Sequence, residues 1–264
     1  MFTLEGKIAL VTGCGSIGNS LSNGRAIALT LARQGATIFG LDRNLPSAEQ
    51  TREMIEKEGG TCQVLACDVT EPQQIKTAIA QCLQHNQRID ILVNNVGESQ
   101  PGDPLTMSQE CWEQQFELNL TSSFLTIKEV LPGMIQQGGG SIINISSVAG
   151  IRYIGKPQVA YSASKAALIQ MSKTTAVLHA HQGIRINCVL PGLMHTALVE
   201  RLAQKYAQGQ IDEFIAQRNQ QVPTGQMGSA WDVAHAVAFL ASDEAHYINA
   251  TELIVDGGFT ATTP

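Results

Sequence analysis

Tyr161 and Lys165 lie four residues apart in "YSASK", within a stretch of helical spacing, so both side chains leave one face as neighbours. A free phenol, with a pKa near ~10, is a poor base at neutral pH. A neighbouring ammonium favours the phenolate and lowers that value, giving a proton donor or acceptor suited to alcohol and ketone chemistry. A second group of chemical interest lies near the start. The apolar run Ile8–Val11 is followed by "TGCGSIGNSLSNGRAIA", residues 12–28, with Gly13, Gly15, Gly18 and Gly24. A strand, glycines and a helix start suit a phosphate cradle, because backbone can approach a pyrophosphate only where side chains are absent, and a helix N-terminus supplies donors. The spacing departs from G-x-G-x-x-G through a polar stretch, residues 19–23, which reads as an insertion bulging outward. Asp42 stands 18 residues after Gly24, near the offset of a carboxylate that binds the adenosine ribose. That carboxylate repels a 2′-phosphate and so favours NAD over NADP, although the adjacent Arg43 works against the preference. Asp68, in "ACDVT" with Val69, falls where an adenine would lie.

The elements that must position these groups alternate along the chain. Strands are expected at 8–11, 37–41, 61–66, 89–93, 141–145, 185–190 and 252–255. Helices are expected at 24–34, 47–58, 73–85, 109–136, 158–179 and 231–240, with Ser22 or Asn23 capping the first. Apolar strands separated by helices predict one α/β domain over residues 1–264, doubly wound and Rossmann-type, with a mostly parallel seven-stranded sheet. Residues 193–228 lack a strand pattern and read as two short helices forming a lid over the ligand crevice.

Composition narrows the function classes. Hydrophobic residues make up 44% and charged ones 15%, enough for a large core, and a net charge of −6 excludes a nucleic-acid surface. No apolar run reaches membrane-span length, and neither a signal peptide nor a lipidation signal is expected. Six cysteines without a C-x-x-C pair predict reduced thiols and a cytoplasmic protein. His179 and His181 face different ways on a helix, so no metal site is expected.

Taken together, "LVNNVG" (92–97), "ELNLTSSF" (117–124), "IINISSVAG" (142–150), "YSASK" (161–165), "INCVLPG" (186–192) and "LIVDGGF" (253–259) make the chain resemble the short-chain dehydrogenase/reductase family over nearly its whole length. The resemblance implies that Tyr161 is the catalytic acid/base. Lys165 tunes it and holds the nicotinamide ribose. Ser147 rather than its neighbour Ser146 binds the substrate oxygen, and Asn119 keeps a water near the lysine. It implies cofactor contacts from Gly13, Gly18, Gly24, Asp42, Asp68, Val69, Asn95, Gly97, Tyr161, Lys165, Pro191, Gly192 and Thr196, with Asn94 bracing the sheet. Glu98, Ser99, Arg152, Tyr153, Ile154, Leu193, Met194 and His195 are candidates for the substrate pocket. The activity implied is NAD(H)-dependent interconversion of a secondary alcohol and a ketone by a homotetramer, with Phe124, Leu168 and the last strand at its interfaces. An NADP-dependent biosynthetic ketoreductase and a non-catalytic dinucleotide-binding sensor or scaffold are the alternatives.

Overall fold

The computed structural model describes residues 2–17, 21–197, 199 and 210–262. Strands β1 (Ile8–Thr12), β2 (Thr37–Asp42), β3 (Cys62–Ala66), β4 (Ile91–Asn94), β5 (Gly140–Ile145), β6 (Ile184–Pro191) and β9 (Glu252–Val255) form a seven-stranded sheet in the order β3-β2-β1-β4-β5-β6-β9. Every pair is parallel. The order reverses direction between β1 and β4, which is where an open α/β sheet leaves a ligand crevice past its strand ends.

Successive strand residues serve opposite faces. Ala9, Val11, Ile91, Val93, Ile143 and Ile145 pack with helices α1 (Asn23–Arg33) and α8 (Ala230–Ala241). Leu10, Leu92 and Ile142 pack on the other side with α3 (Pro72–Asn86), α5 (Ser122–Gln136) and α6 (Val159–His179). Covering both faces explains why the strands read as unbroken apolar runs instead of alternating ones. Helix α2 (Leu45–Lys57) begins two residues before its expected start, with Asn44 as cap and Pro46 in its first turn, the place where a missing N–H costs nothing.

Two expectations are corrected. Residues 109–136 are not one helix: α4 (Gln109–Phe116) passes into a five-residue π-helical turn, Glu117–Thr121, before α5. The wider turn inserts an extra residue into the ladder and carries Asn119 into the interior, a feature that 3.6-residue periodicity cannot reveal. Residues 193–228 do contain strand: β7 (Met194–His195) pairs in parallel with β8 (Gly228–Ser229) and ties the two ends of the segment together. Between them lies α7 (Ile211–Gln220). The other helix expected there falls on residues 198 and 200–209, outside the described ones. Among the described residues no helix is long and apolar enough to cross a membrane.

Candidate active site

Strand β5 ends at Ile145, and its next two residues diverge. The Ser146 hydroxyl donates to the Lys165 carbonyl at 3.0 Å, which fastens β5 to α6. Ser147 caps the short turn Val148–Gly150 by accepting from the Ala149 N–H at 3.1 Å, and its hydroxyl lies beside the Tyr161 phenol. The two serines are therefore separated by geometry: Ser146 holds the scaffold and Ser147 faces the reactive phenol. Gly150 allows the approach of the helix, since a β-carbon there would lie 2.9 Å from the Ala166 amide nitrogen and the Lys165 carbonyl carbon.

Lys165 is 2% exposed, donates from Nζ to the Ile145 carbonyl at 2.9 Å, and stands 5.8 Å from the Tyr161 ring centroid. Burial pulls its ammonium down to about 8. The expected lowering of the phenol by this lysine is corrected: burial pushes half-buried Tyr161 upward, and only the Ser147 hydrogen bond pulls it the other way. Desolvation of the charged form outweighs that hydrogen bond.

Gly97, after β4, completes the group. A β-carbon there would meet Asn119 Oδ1 at 2.8 Å and Lys165 Nζ at 2.9 Å, so the glycine leaves the space both side chains occupy. Asn119 accepts from the Glu98 N–H at 3.0 Å and donates to the Glu98 and Gln115 carbonyls, at 3.0 and 2.9 Å. Ser147, Tyr161, Lys165 and Asn119 thus converge at the carboxyl ends of β4 and β5.

The glycine loop leaves β1 one strand away. Gly13 has φ +65°, a left-handed value that suits glycine. Asn95 donates to the Thr12 and Gly13 carbonyls at 3.2 and 3.0 Å, so this residue, expected at the cofactor, holds the loop. Asn94 accepts from Thr126 at 2.6 Å and donates to Asn144 at 2.8 Å inside the sheet. Gly24 is needed for a reason other than phosphate: its β-carbon would lie 1.8 Å from the Gly13 carbonyl oxygen. The Asp42 carboxylate accepts from the Gly15 N–H and the Asn44 N–H, both at 2.9 Å. That leaves lone pairs on each oxygen for further donors. Asp68 accepts from Thr70 twice, through N–H at 2.9 Å and Oγ1 at 2.7 Å, which lowers its carboxyl; Val69 beside it is buried.

Of the inserted stretch only residues 21–23 are described, and these turn inward where an outward bulge was expected. Ser22 caps α1 and donates to the Gly15 carbonyl at 2.6 Å, so its hydroxyl is engaged within the loop. Leu21 packs against the core, and its carbonyl accepts from the Ala197 N–H at 3.2 Å, linking the loop to the start of the 193–228 segment. Gly18 lies outside the described residues. Gly192, after β6, bonds through its N–H to the Val255 carbonyl at 2.9 Å, and a β-carbon there would meet Asp256 at 2.6 Å. Pro191 closes β6, and the carbonyl of Thr196 receives the Val199 N–H.

The proposed pocket residues divide. Ser99 donates to Gln158 Oε1 at 2.9 Å beside the start of α6, and Glu98 lies against Asn119. Met194 is corrected: it is buried in the core formed with α1 and α8. Tyr153 is 76% exposed, and the Arg152 guanidinium is bound to the Thr260 carbonyl. His195 is exposed on β7. Sequence reasoning missed Gln158, which is 8% exposed and has an amide nitrogen without a partner. Its position three residues before Tyr161 was the available signal. It also missed buried Arg25, which donates to Thr51, Ser47 and Gln50 at 3.0–3.1 Å and binds α1 to α2 under the glycine loop. A cavity of about 660 Å³ opens at the amino ends of β4, β5 and β6, where Lys7 pairs with Asp243 and Arg88 with Asp90, away from this chemistry.

The residues fit a nicotinamide dinucleotide. Glycines line the end of β1 at the start of α1, carboxylates end β2 and follow β3, and a cation stands beside the phenol. Comparison with known proteins agrees. The family model described as enoyl-(acyl carrier protein) reductase matches residues 17–260. The 3-oxoacyl-[acyl-carrier-protein] reductase FabG of Escherichia coli K12 is 39% identical over 254 residues, covering 96% of this chain and 97% of the relative. A Burkholderia xenovorans structure described as a short-chain dehydrogenase/reductase shares 44% identity at a TM-score of 0.96, over the full length of both chains. One from Beutenbergia cavernae, described as an NAD(P)-dependent gluconate 5-dehydrogenase with bound NADP, shares 30% at a TM-score of 0.88, covering 99% of each. On likeness of this extent the chain belongs to the short-chain dehydrogenase/reductase family, as an oxidoreductase acting on CH–OH and keto groups.

Proposed function

We propose that the protein interconverts a secondary alcohol and a ketone with NAD(H), Tyr161 carrying the proton. The observation that carries this reading is the convergence of Ser147, Tyr161 and Lys165 at the strand ends, beside a glycine loop terminated by a capped helix. A nicotinamide dinucleotide bound along Gly13, Asp42, Asp68, Gly97 and Gly192 supplies or accepts the hydride. In the reductive direction the Ser147 hydroxyl fixes the carbonyl oxygen against the phenol. The Tyr161 O–H, kept protonated by its raised pKa, then gives that oxygen its proton. Lys165, held by the Ile145 carbonyl, places positive charge beside the phenolate left behind. Asn119 keeps the turn at Glu98 in register with that lysine. In the oxidative direction the same groups run in reverse.

Asp42 supports NAD, because its charge opposes a 2′-phosphate. Exposed Arg43, close enough to Asp68 to lower its carboxyl, supports NADP as the second reading. The 3-oxoacyl reductase and gluconate dehydrogenase relatives support a ketone or polyol-derived substrate without choosing between them. A homotetramer and a cytoplasmic setting belong to the same proposal, the latter supported by six unpaired cysteines. The test is a panel of ketones and alcohols assayed with both cofactors. Turnover with a preference for NAD(H) is expected; preference for NADP(H) would transfer the assignment to the second reading. No turnover across the panel would favour a dinucleotide-binding sensor.

A further inference from the structure

Gln158 is the N-cap residue of α6, the helix that carries Tyr161 and Lys165, yet its side chain makes no capping bond. It is 8% exposed, and its Nε2 has no acceptor among the described residues. The other end of the same amide is engaged, Oε1 accepting from the Ser99 hydroxyl at 2.9 Å. A glutamine amide has a donor end and an acceptor end, so the bond to Ser99 leaves the donor end over. A buried donor left unbound is unfavourable, and the cost is recovered when an acceptor arrives.

Two connections fix this amide beside the proposed reaction centre. Along the helix, the Gln158 carbonyl accepts from the Ser162 N–H at 3.0 Å, in the same first turn that carries Tyr161. An N-cap residue and the residue three places on stand over one side of that turn, which is how their side chains meet in a capping box. Across the crevice, the chain leaving β4 passes Lys165 and then reaches Gln158. A β-carbon on Gly97 would lie 2.9 Å from Lys165 Nζ, both backbone groups of Glu98 are held by Asn119, and Ser99 follows with its bond to the Gln158 amide. Gly102 closes the connection, its N–H donating to the Pro157 carbonyl at 2.8 Å and its carbonyl accepting from the Val159 N–H at 3.1 Å. All of these contacts are made by β4, α6 and the segment after β4, with none from residues 193–228.

We infer that Gln158 binds the substrate, its Nε2 donating to a second oxygen close to the carbonyl held at Ser147 and Tyr161. Side chains three apart on a helix start about 5–6 Å from one another, a span that oxygens on adjacent or alternate carbons can bridge. The substrate class is accordingly a ketone with a neighbouring acceptor oxygen, such as an α-hydroxy ketone or a β-oxo ester, in preference to a plain alkyl ketone. This rests on the ketone–alcohol reading above and narrows it. Ser99 is a positioning residue: by donating to Oε1 it sets which end of the amide remains for the substrate.

The probes are two matched pairs. Acetoin is set against methyl isopropyl ketone, in which a methyl replaces the hydroxyl, and methyl acetoacetate against methyl butyl ketone, which lacks the ester oxygens. Calorimetric titration of cofactor-saturated Tyr161→Phe protein reads binding without turnover. At least one oxygenated ketone is expected to bind about tenfold more tightly than its alkyl partner, the size of one hydrogen bond to a donor otherwise left unbound. Gln158→Glu, added to this background, keeps an acceptor for Ser99 and replaces the donor by a second acceptor, so the ratio should fall to within about twofold. Uncharged Gln158→Met should do the same, whereas Ser99→Ala, which keeps the donor, should retain a preference. Preference in the first pair alone puts the second oxygen on the adjacent carbon, and in the second pair alone one carbon further. Equal affinity within both pairs, absence of binding included, overturns the inference. So does a preference unchanged by Gln158→Glu and Gln158→Met, which would leave Gln158 as a fastening between α6 and the segment after β4. Steady-state assays of the wild type separate this failure from that of the parent reading. Alkyl ketones turned over as well as their oxygenated partners would leave the ketone reading standing and remove the Gln158 contact. Selective binding without turnover of any ketone would support the contact and count against the ketone reading.

Discussion

Lys165 shows how a single residue can be unfavourable for the fold and central to the proposed chemistry. It is an ammonium in the interior with one carbonyl partner, and burial lowers it from 10.5 to about 8. Below about pH 8 the folded protein must charge a buried group, and the unfolded chain binds that proton more readily. The penalty therefore shrinks as pH rises from about 8 towards 10.5, where both states are neutral. Lys165→Met is expected to abolish turnover and to raise stability by about 2 kcal/mol at pH 7, after allowing for the orphaned Ile145 carbonyl. Denaturant unfolding at pH 7 and pH 10 checks both parts: the gain should diminish at the higher pH, and a destabilised variant at pH 7 would contradict it. Asp42 gives a second residue-scale test. Asp42→Asn keeps an acceptor for the Gly15 amide while removing the charge. NAD affinity should fall about tenfold, the loss of charge-assisted bonds, with NADP gaining on it. Titration that finds the ratio of the two cofactors unchanged would place the ribose elsewhere.

At the scale of elements, the glycine loop was legible in outline and misread in detail. Strand, glycines and helix stand where the residues put them, because apolar runs and caps are local signals. The reason for Gly24 was not local. It is the carbonyl of Gly13, eleven positions earlier, and only the folded loop brings the two together. Leu21 looked like part of a polar bulge but packs on the core, since its apolar side chain finds a surface supplied by distant strands. Asn119 was identified by resemblance, while the π turn that carries it inward was invisible to helical periodicity. Ser22 offers the test at this scale. It caps α1 and bonds the Gly15 carbonyl, so Ser22→Ala should cost about 1 kcal/mol of stability, and it should weaken cofactor binding as well. Thermal unfolding and cofactor titration of one variant read both effects. A stability loss with unchanged cofactor affinity would show that the cap serves the helix alone.

For the whole molecule, apolar strands and long helices made the doubly wound sheet legible, and its order follows from right-handed connections between parallel strands. Surface partners were harder to read. Leu168, expected at an interface between subunits, is in the interior at 1% exposed, because its face of α6 turns towards the sheet. Phe124 on α5 and Val177 and Leu178 on α6 are the exposed apolar residues of those helices, at 48%, 69% and 62%. Sedimentation is expected to show a tetramer, and Val177→Asp combined with Leu178→Asp should shift it to smaller species. A wild-type monomer would contradict the proposed assembly.

The central claim is that the Tyr161 hydroxyl carries the proton while the cofactor is held by other groups. Its most direct test is Tyr161→Phe, measured for ketone-dependent oxidation of the reduced cofactor and, in parallel, for cofactor affinity. Loss of the positioned acid should lower kcat on the order of 10² to 10⁴-fold with cofactor Kd nearly unchanged. Turnover at the wild-type rate would contradict the account.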